Sequence, residues 1–212
     1  MRRLLVGIGS VIALTAVAAP AGTFPWRGAG PSPKPHPATE ALREYTAAIR
    51  TNLGEIPLSL EPDGAPNAVR MFVKLAQRGA YDGTRFSCVF KDRMIVGGAL
   101  QGRDKGDATE ALTHESTPVL SVTAGAIVMD RTPGGDNCPA RFLIILTDQT
   151  HLDGDYTVFG ELTKDGLAVA KRIGAVATRD ADGSPAPVED VVIEQVLVTK
   201  KPSPSAKEGK KP

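Results

Sequence analysis

The chain has 212 residues, 42% of them hydrophobic, and a net charge of +1. That is enough for one domain with a sizeable core plus tails, while the near-neutral charge gives no electrostatic case for nucleic acid or acidic polymers as partners. Aromatic residues make up only 5%, and 22 glycines and 17 prolines favour short strands and turns over long helices.

Arg2 and Arg3 precede an apolar run over residues 4–17, and Ala19-Pro20-Ala21 follows with small residues at cleavage-site spacing. This pattern predicts a signal peptide over residues 1–21. The run is short of the ~20 residues of a spanning helix. Export to periplasm, cell wall or medium is the expectation, with no membrane span once the leader is removed. Residues 22–44 are rich in Pro and Gly and read as a linker, with a short helical turn near 41–45. The domain is expected over residues 45–200. Residues 201–212 form a basic, Pro-containing tail expected to be disordered.

Within the domain, residues 48–52 read as a strand and Leu53-Gly54 as a turn. Ile56, Leu58 and Leu60 alternate with polar positions as a half-buried strand, where Pro57 suggests an edge or a bulge. A helix follows: Pro66 suits its first turn, Val69, Phe72, Val73 and Ala76 share one face, and Gly79 suits its C-terminus. Further strands are predicted over 86–90, 94–96, 119–122, 126–129, 141–146 and 157–161. A second helix over 167–173 ends at Gly174, and a branched-residue strand spans 191–198. Many short strands with two helices predict a mostly β fold, a closed barrel with no exposed edges.

Two cysteines, Cys88 and Cys138, remain after the leader. In an oxidising compartment they could pair, or they could be two inert thiols. His36, His114 and His151 are scattered without metal-like spacing, and no phosphate-binding glycine loop or nucleophile elbow is present. No metal and no cofactor are expected.

Several stretches in order resemble the cyclophilins, the peptidyl-prolyl cis-trans isomerases. They are Asp63-Gly64-Ala65-Pro66 opening the first helix, Phe72 and Leu75 within it, Tyr81-Asp82-Gly83-Thr84, and Gly97-Gly98. Phe142 and the run "LDGDYTVFG" from Leu152 complete the set. The resemblance covers nearly the whole domain. It implies an eight-stranded antiparallel barrel with a helix over each end, and a groove for proline-containing polypeptides worked by a monomer.

The resemblance also assigns the site. Where the family runs Phe-His-Arg, four residues, then Phe-Met-x-Gln-Gly-Gly, this chain runs Phe86-Ser87-Cys88, four residues, then Arg93-Met94-Ile95-Val96-Gly97-Gly98. Cys88 therefore stands at the position of the family's catalytic arginine, Arg93 at that of a pocket phenylalanine, and Val96 at that of the bracing glutamine. The family's Met-Ala-Asn matches Met129-Asp130-Arg131, and its Gly-Ser-Gln-Phe-Phe matches Pro139-Ala140-Arg141-Phe142-Leu143. Its Trp-Leu-Asp-Gly matches His151-Leu152-Asp153-Gly154, and its pocket histidine matches Tyr156. Met94, Leu143 and Leu152 are expected to cradle a proline ring. A cysteine cannot replace a planar fork of charged donors, so Arg141 is the candidate catalytic cation. The alternative is that Arg141 faces solvent or pairs with Asp130 or Asp136. The expected function is an exported isomerase weakened by the lost Arg and Gln; a non-catalytic proline-peptide-binding module is the alternative.

Overall fold

The computed structural model describes residues 42–43, 45–100, 112–115, 120–131, 137–181 and 184–200. The signal peptide expected over residues 1–21 and the tail expected over 201–212 fall outside the described residues, as does nearly all of the expected linker.

The described elements are β1 (Tyr45–Thr51), β2 (Gly54–Leu60), α1 (Pro66–Gln77), β3 (Cys88–Phe90), β4 (Met94–Gly97), β5 (Ala126–Arg131) and β6 (Asn137–Ile145). After them come β7 (Val158–Leu162), α2 (Lys164–Gly174), β8 (Thr178–Ala181), β9 (Ser184–Pro187) and β10 (Ile193–Lys200). Eight strands make one antiparallel sheet in the order β10-β1-β2-β7-β5-β6-β4-β3, and β8 pairs with β9 alone. The fold is mostly β with two helices, as expected. No described helix is long and apolar enough to cross a membrane.

Full closure is not observed: the sheet is curled and open. Its edge strands, β3 and β10, share no ladder. The only described backbone links between the two ends lie before β3 and at or just before the first residue of β10: Gly83 N–H to Ile193 O (2.8 Å), Ile193 N–H to Thr84 O (2.8 Å), and Phe86 N–H to Val191 O (3.0 Å). β3 is three residues long and cannot continue that pairing.

The two helices rest on local signals. Pro66 occupies the first turn of α1, whose apolar face buries Val69, Phe72, Val73, Leu75 and Ala76. At its far end Gly79 adopts φ +68°. Its N–H meets Ala76 O and the N–H of Ala80 meets Leu75 O, both at 3.0 Å, a glycine-closed terminus. Phe72 packs 5.2 Å from Phe159 and 5.4 Å from Tyr81, ring to ring, at the centre of the core. Thr163 caps α2 by accepting the N–H of Gly166 at 3.1 Å, with Asp165 in the first turn and Lys171 and Arg172 in the last.

Pro57 is not on an edge strand. β2 lies between β1 and β7, and Ala48 stands opposite Pro57. The carbonyl of Pro57 accepts from Thr163 N–H at 3.0 Å, just past the end of β7. N and O of one residue point to the same side of an antiparallel strand, so the missing N–H faces α2, where no ladder bond is lost. The strand expected over 119–122 also fails: residues 120–122 form no ladder, and the Val122 N–H is taken by the Asp153 carboxylate at 2.6 Å. β8 and β9 were not anticipated; both are short, β8 is mostly exposed, and the half-buried β9 carries two prolines.

Candidate functional site

The central strands bury apolar residues on both faces. Val89, Ile95, Ile127, Phe142, Ile144 and Phe159 point into the main core. Their alternates, Val96, Ala126, Val128, Leu143, Ile145 and Val158, form a second apolar cluster with Val122 on the outer face. Cys88, Phe90, Met94, Leu120, Leu152 and Tyr156 pack against this second cluster while remaining partly exposed. Register explains its continuity. Cys88 lies opposite Val96, Val96 opposite Leu143, Leu143 opposite Val128, and Val128 opposite Val158, one row across five strands.

Six sequence-assigned residues therefore meet in one place: Cys88, Met94, Val96, Leu143, Leu152 and Tyr156. Three more stand on its rim. Arg141 is two residues from Leu143 along β6, on the same face, and its side chain is 49% exposed. Its guanidinium forms an ion pair with Asp130, whose side chain is only 15% exposed. Asp130 Oδ1 also accepts the N–H of Arg131 at 2.8 Å, and Arg131 Nη1 donates to the Asp155 carbonyl at 2.7 Å. Arg141 is thus held by Asp130, the pairing that had stood as the alternative to a free catalytic cation. One acid engages one Nη, and a guanidinium carries five N–H donors, so others remain available to a ligand.

Two assigned residues are not drawn into the cluster. Arg93 is exposed in the turn between β3 and β4 and, among the described residues, makes only backbone bonds, to Phe90 O and from Leu146 N–H. His151 is exposed on a single 3-10 turn, Thr150–Leu152. Nor are the cysteines joined. Both are free and half-buried. Cys88 packs on the outer cluster, whereas alternation along β6 sends Cys138 to the core side with Ala140 and Phe142. There it adds to the effect of burial in raising the pKa of Tyr81, so the two thiols serve opposite faces of the sheet.

The wall carrying Leu152 and Tyr156 is pinned at several points. Gln149 N–H donates to Val122 O at 2.8 Å, and the Asp153 carboxylate takes the Val122 N–H. Beyond Tyr156, the buried Thr157 hydroxyl accepts from Glu115 N–H and from Asn137 Nδ2, both at 2.9 Å. It also lies 3.2 Å from His114 Nδ1, while His114 Nε2 lies 2.9 Å from the Gly154 carbonyl. A hydroxyl with both lone pairs engaged must donate. His114 therefore accepts at Nδ1 and donates from Nε2, tying the wall to the loop before it. The sequence reading missed this brace, since its members are far apart in the chain. It also missed the floor residues Val128, Ile145 and Val158, although their alternation with core residues was a usable signal. Gly97-Gly98 is explained by space: a Cβ on Gly98 would lie 2.5 Å from Ala140 O, and φ there is +78°.

Among the described residues no group of three or more His, Cys, Asp or Glu is placed to hold a metal ion. What the groove offers is an apolar floor with charged N–H donors on one rim.

The family model described as cyclophilin type peptidyl-prolyl cis-trans isomerase/CLD matches residues 46–198. The chain belongs to the cyclophilin-type isomerase family. It is 34% identical over 148 residues to the mouse protein named peptidyl-prolyl cis-trans isomerase-like 1, covering 68% of this chain and 87% of that one. It is likewise 34% identical over 161 residues to peptidyl-prolyl cis-trans isomerase B of Escherichia coli, covering 71% and 98%. Among solved structures, a cyclophilin from Cryptosporidium parvum superposes with a TM-score of 0.62 at 23% identity, over 74% of this chain and 98% of that one. That likeness supports the fold; the family assignment rests on the sequence matches.

Proposed function

We propose that this cyclophilin-type domain isomerises X–Pro bonds of polypeptides in the groove on the outer face of its sheet. The observation that carries the reading is the shared apolar cluster of Met94, Val96, Leu143, Leu152 and Tyr156 with the Arg141 guanidinium at its edge. Amide resonance opposes rotation with a barrier of ~20 kcal/mol. A proline ring seated over Leu143 would be held while its flanking chain turns. An N–H of Arg141 reaching the prolyl nitrogen would localise the lone pair and weaken the partial double bond. No nucleophile or metal takes part. Asp130 orients the guanidinium and partly offsets its charge, and Cys88 supplies no equivalent donor, so the rate is expected to be modest. Exchange NMR on an Ala-Pro peptide tests this: Arg141→Ala should slow catalysed exchange by roughly 100-fold or more, the scale of one lost donor to the transition state. Wild-type rates in that variant would refute the role given to Arg141.

A second reading is favoured by Cys88 and Val96 standing side by side where the family keeps arginine and glutamine. In it the groove binds proline segments of exported proteins without accelerating their isomerisation. Binding of an Ala-Pro peptide by a wild-type protein that leaves its exchange rate unchanged would select this reading. Export itself rests on Arg2, Arg3 and the apolar run before Ala21. An N-terminal residue of Gly22 in the mature protein tests it.

A further inference from the structure

The apolar cluster does not end at the proline cradle. Its continuation past Val128 and Val158 opens into a hollow of about 190 Å³ whose floor is Leu120, Ala126 and Val158, all part of the groove cluster or packed against it. Two carboxylates, Glu61 and Glu161, line the same hollow.

Their presence there is built by the sheet. Between β5 and β7 the register slips: Ile127 stands opposite Gly160 but Val128 opposite Val158, leaving Phe159 as the extra residue. A bulge of this kind re-aims the side chains that follow it. Phe159 turns into the core, and Glu161, opposite Ala126, is returned to the outer face beside Val158. On β2, Ser59 lies opposite Glu161, and Glu61 comes two residues later on the same face, its N–H bonded to Phe159 O at 2.9 Å. The two residues are thus diagonal neighbours, on the order of 7–8 Å apart and somewhat closer at their Cβ atoms. Like charges at that spacing repel. Neither side chain has an ion-pair or hydrogen-bond partner among the described residues. Four other described acids do have an arginine partner, among them Asp63 with Arg43 and Glu55 with Arg50.

An apolar floor with two unneutralised carboxylates at its rim matches a chain of methylenes ending in a cation. We propose that this hollow is a specificity subsite for a lysine or arginine side chain of the same polypeptide whose proline occupies the groove. The inference rests on the groove being a polypeptide site, and it adds that basic residues near the proline are selected. The aliphatic stem covers Leu120, Ala126 and Val158, and the charged head lies between Glu61 and Glu161.

The test measures binding of Ala-rich peptides with one Ala-Pro unit to the full chain by NMR titration at low salt. A single lysine is moved through successive positions on either side, and norleucine at each position serves as the uncharged control. One register of lysine should bind ~5-fold tighter than its norleucine control, the scale of two exposed ion pairs. That advantage should shrink as salt is raised and vanish in Glu61→Gln/Glu161→Gln, while binding of the lysine-free peptide stays unchanged. If lysine confers no advantage at any position, or keeps it in the double variant, the subsite is overturned while the groove reading stands. If no Ala-Pro peptide binds at all, both fall.

Discussion

Removing the Glu115 carboxylate should destabilise the domain through a helix it does not belong to. Helix α1 begins after Ala65, which has no side-chain acceptor, so its first N–H groups need a partner from outside. Glu115 supplies it. Oε1 accepts from Asn67 N–H and Asn67 Nδ2, both at 3.0 Å, and Oε2 accepts from Ala68 N–H at 2.9 Å. Losing a capping acceptor costs about 1 kcal/mol. Losing a negative charge at a helix N-terminus adds about 0.3–1 kcal/mol. Glu115→Ala should therefore cost about 2 kcal/mol, a fall in Tm of roughly 4–8 °C for a domain of this size. Glu115→Gln keeps one oxygen acceptor and should lose about half as much. Urea denaturation gives the free energies, and amide hydrogen exchange at Asn67 and Ala68 localises the effect. An alanine variant within ~0.5 kcal/mol of wild type would show that the cap is redundant and refute the reasoning.

Three further outcomes follow from the geometry. Gly98→Ala places a methyl 2.5 Å from Ala140 O at a φ of +78°, so a loss of at least ~2 kcal/mol is expected in chemical denaturation; a neutral variant would contradict the backbone assigned there. Burial of Tyr81, aided by Cys138, holds its phenol protonated to well above the ordinary value. The unfolded chain ionises first, at about pH 10, so Tyr81 makes stability fall as pH rises past that value by up to ~1.4 kcal/mol per unit. Tyr81→Phe should remove that component of alkaline unfolding, and an unchanged pH profile would refute it. Placing donors beside the proposed groove, Cys88→Arg with Val96→Gln, should raise catalysed prolyl exchange by at least about tenfold, as one well-aimed charged donor would; no gain would mean that Arg141 already fills the role.

Local patterns carried much of this structure. The period-two burial of Ile56, Leu58 and Leu60 and the apolar face of α1 appear where alternation and helical spacing put them. So does the gathering of Met94, Leu143 and Leu152, which the family resemblance implied. Legibility failed where partners are remote or signals mixed. β6 begins at Asn137, four residues before its apolar pattern starts, because Asn137, Cys138 and Pro139 carry no strand signal of their own. Pro57 misled because the side its nitrogen faces is set by α2, over a hundred residues later. Arg141 could be placed on the groove face from the motif, but its capture by Asp130 depends on side-chain geometry across two strands. The Thr157 brace joins three separate segments that no spacing rule connects.

Because β4, β5 and β6 send every other side chain to a different compartment, the scaffold and its working surface are written in interleaved letters. Ile95, Ile127, Phe142 and Ile144 hold the architecture; the residues between them build the outer cluster proposed as the groove. Chemistry at Cys88, Val96 and Arg141 can therefore be exchanged with little disturbance beneath. Such a chain is free to trade catalytic speed for new client preferences while keeping the same frame.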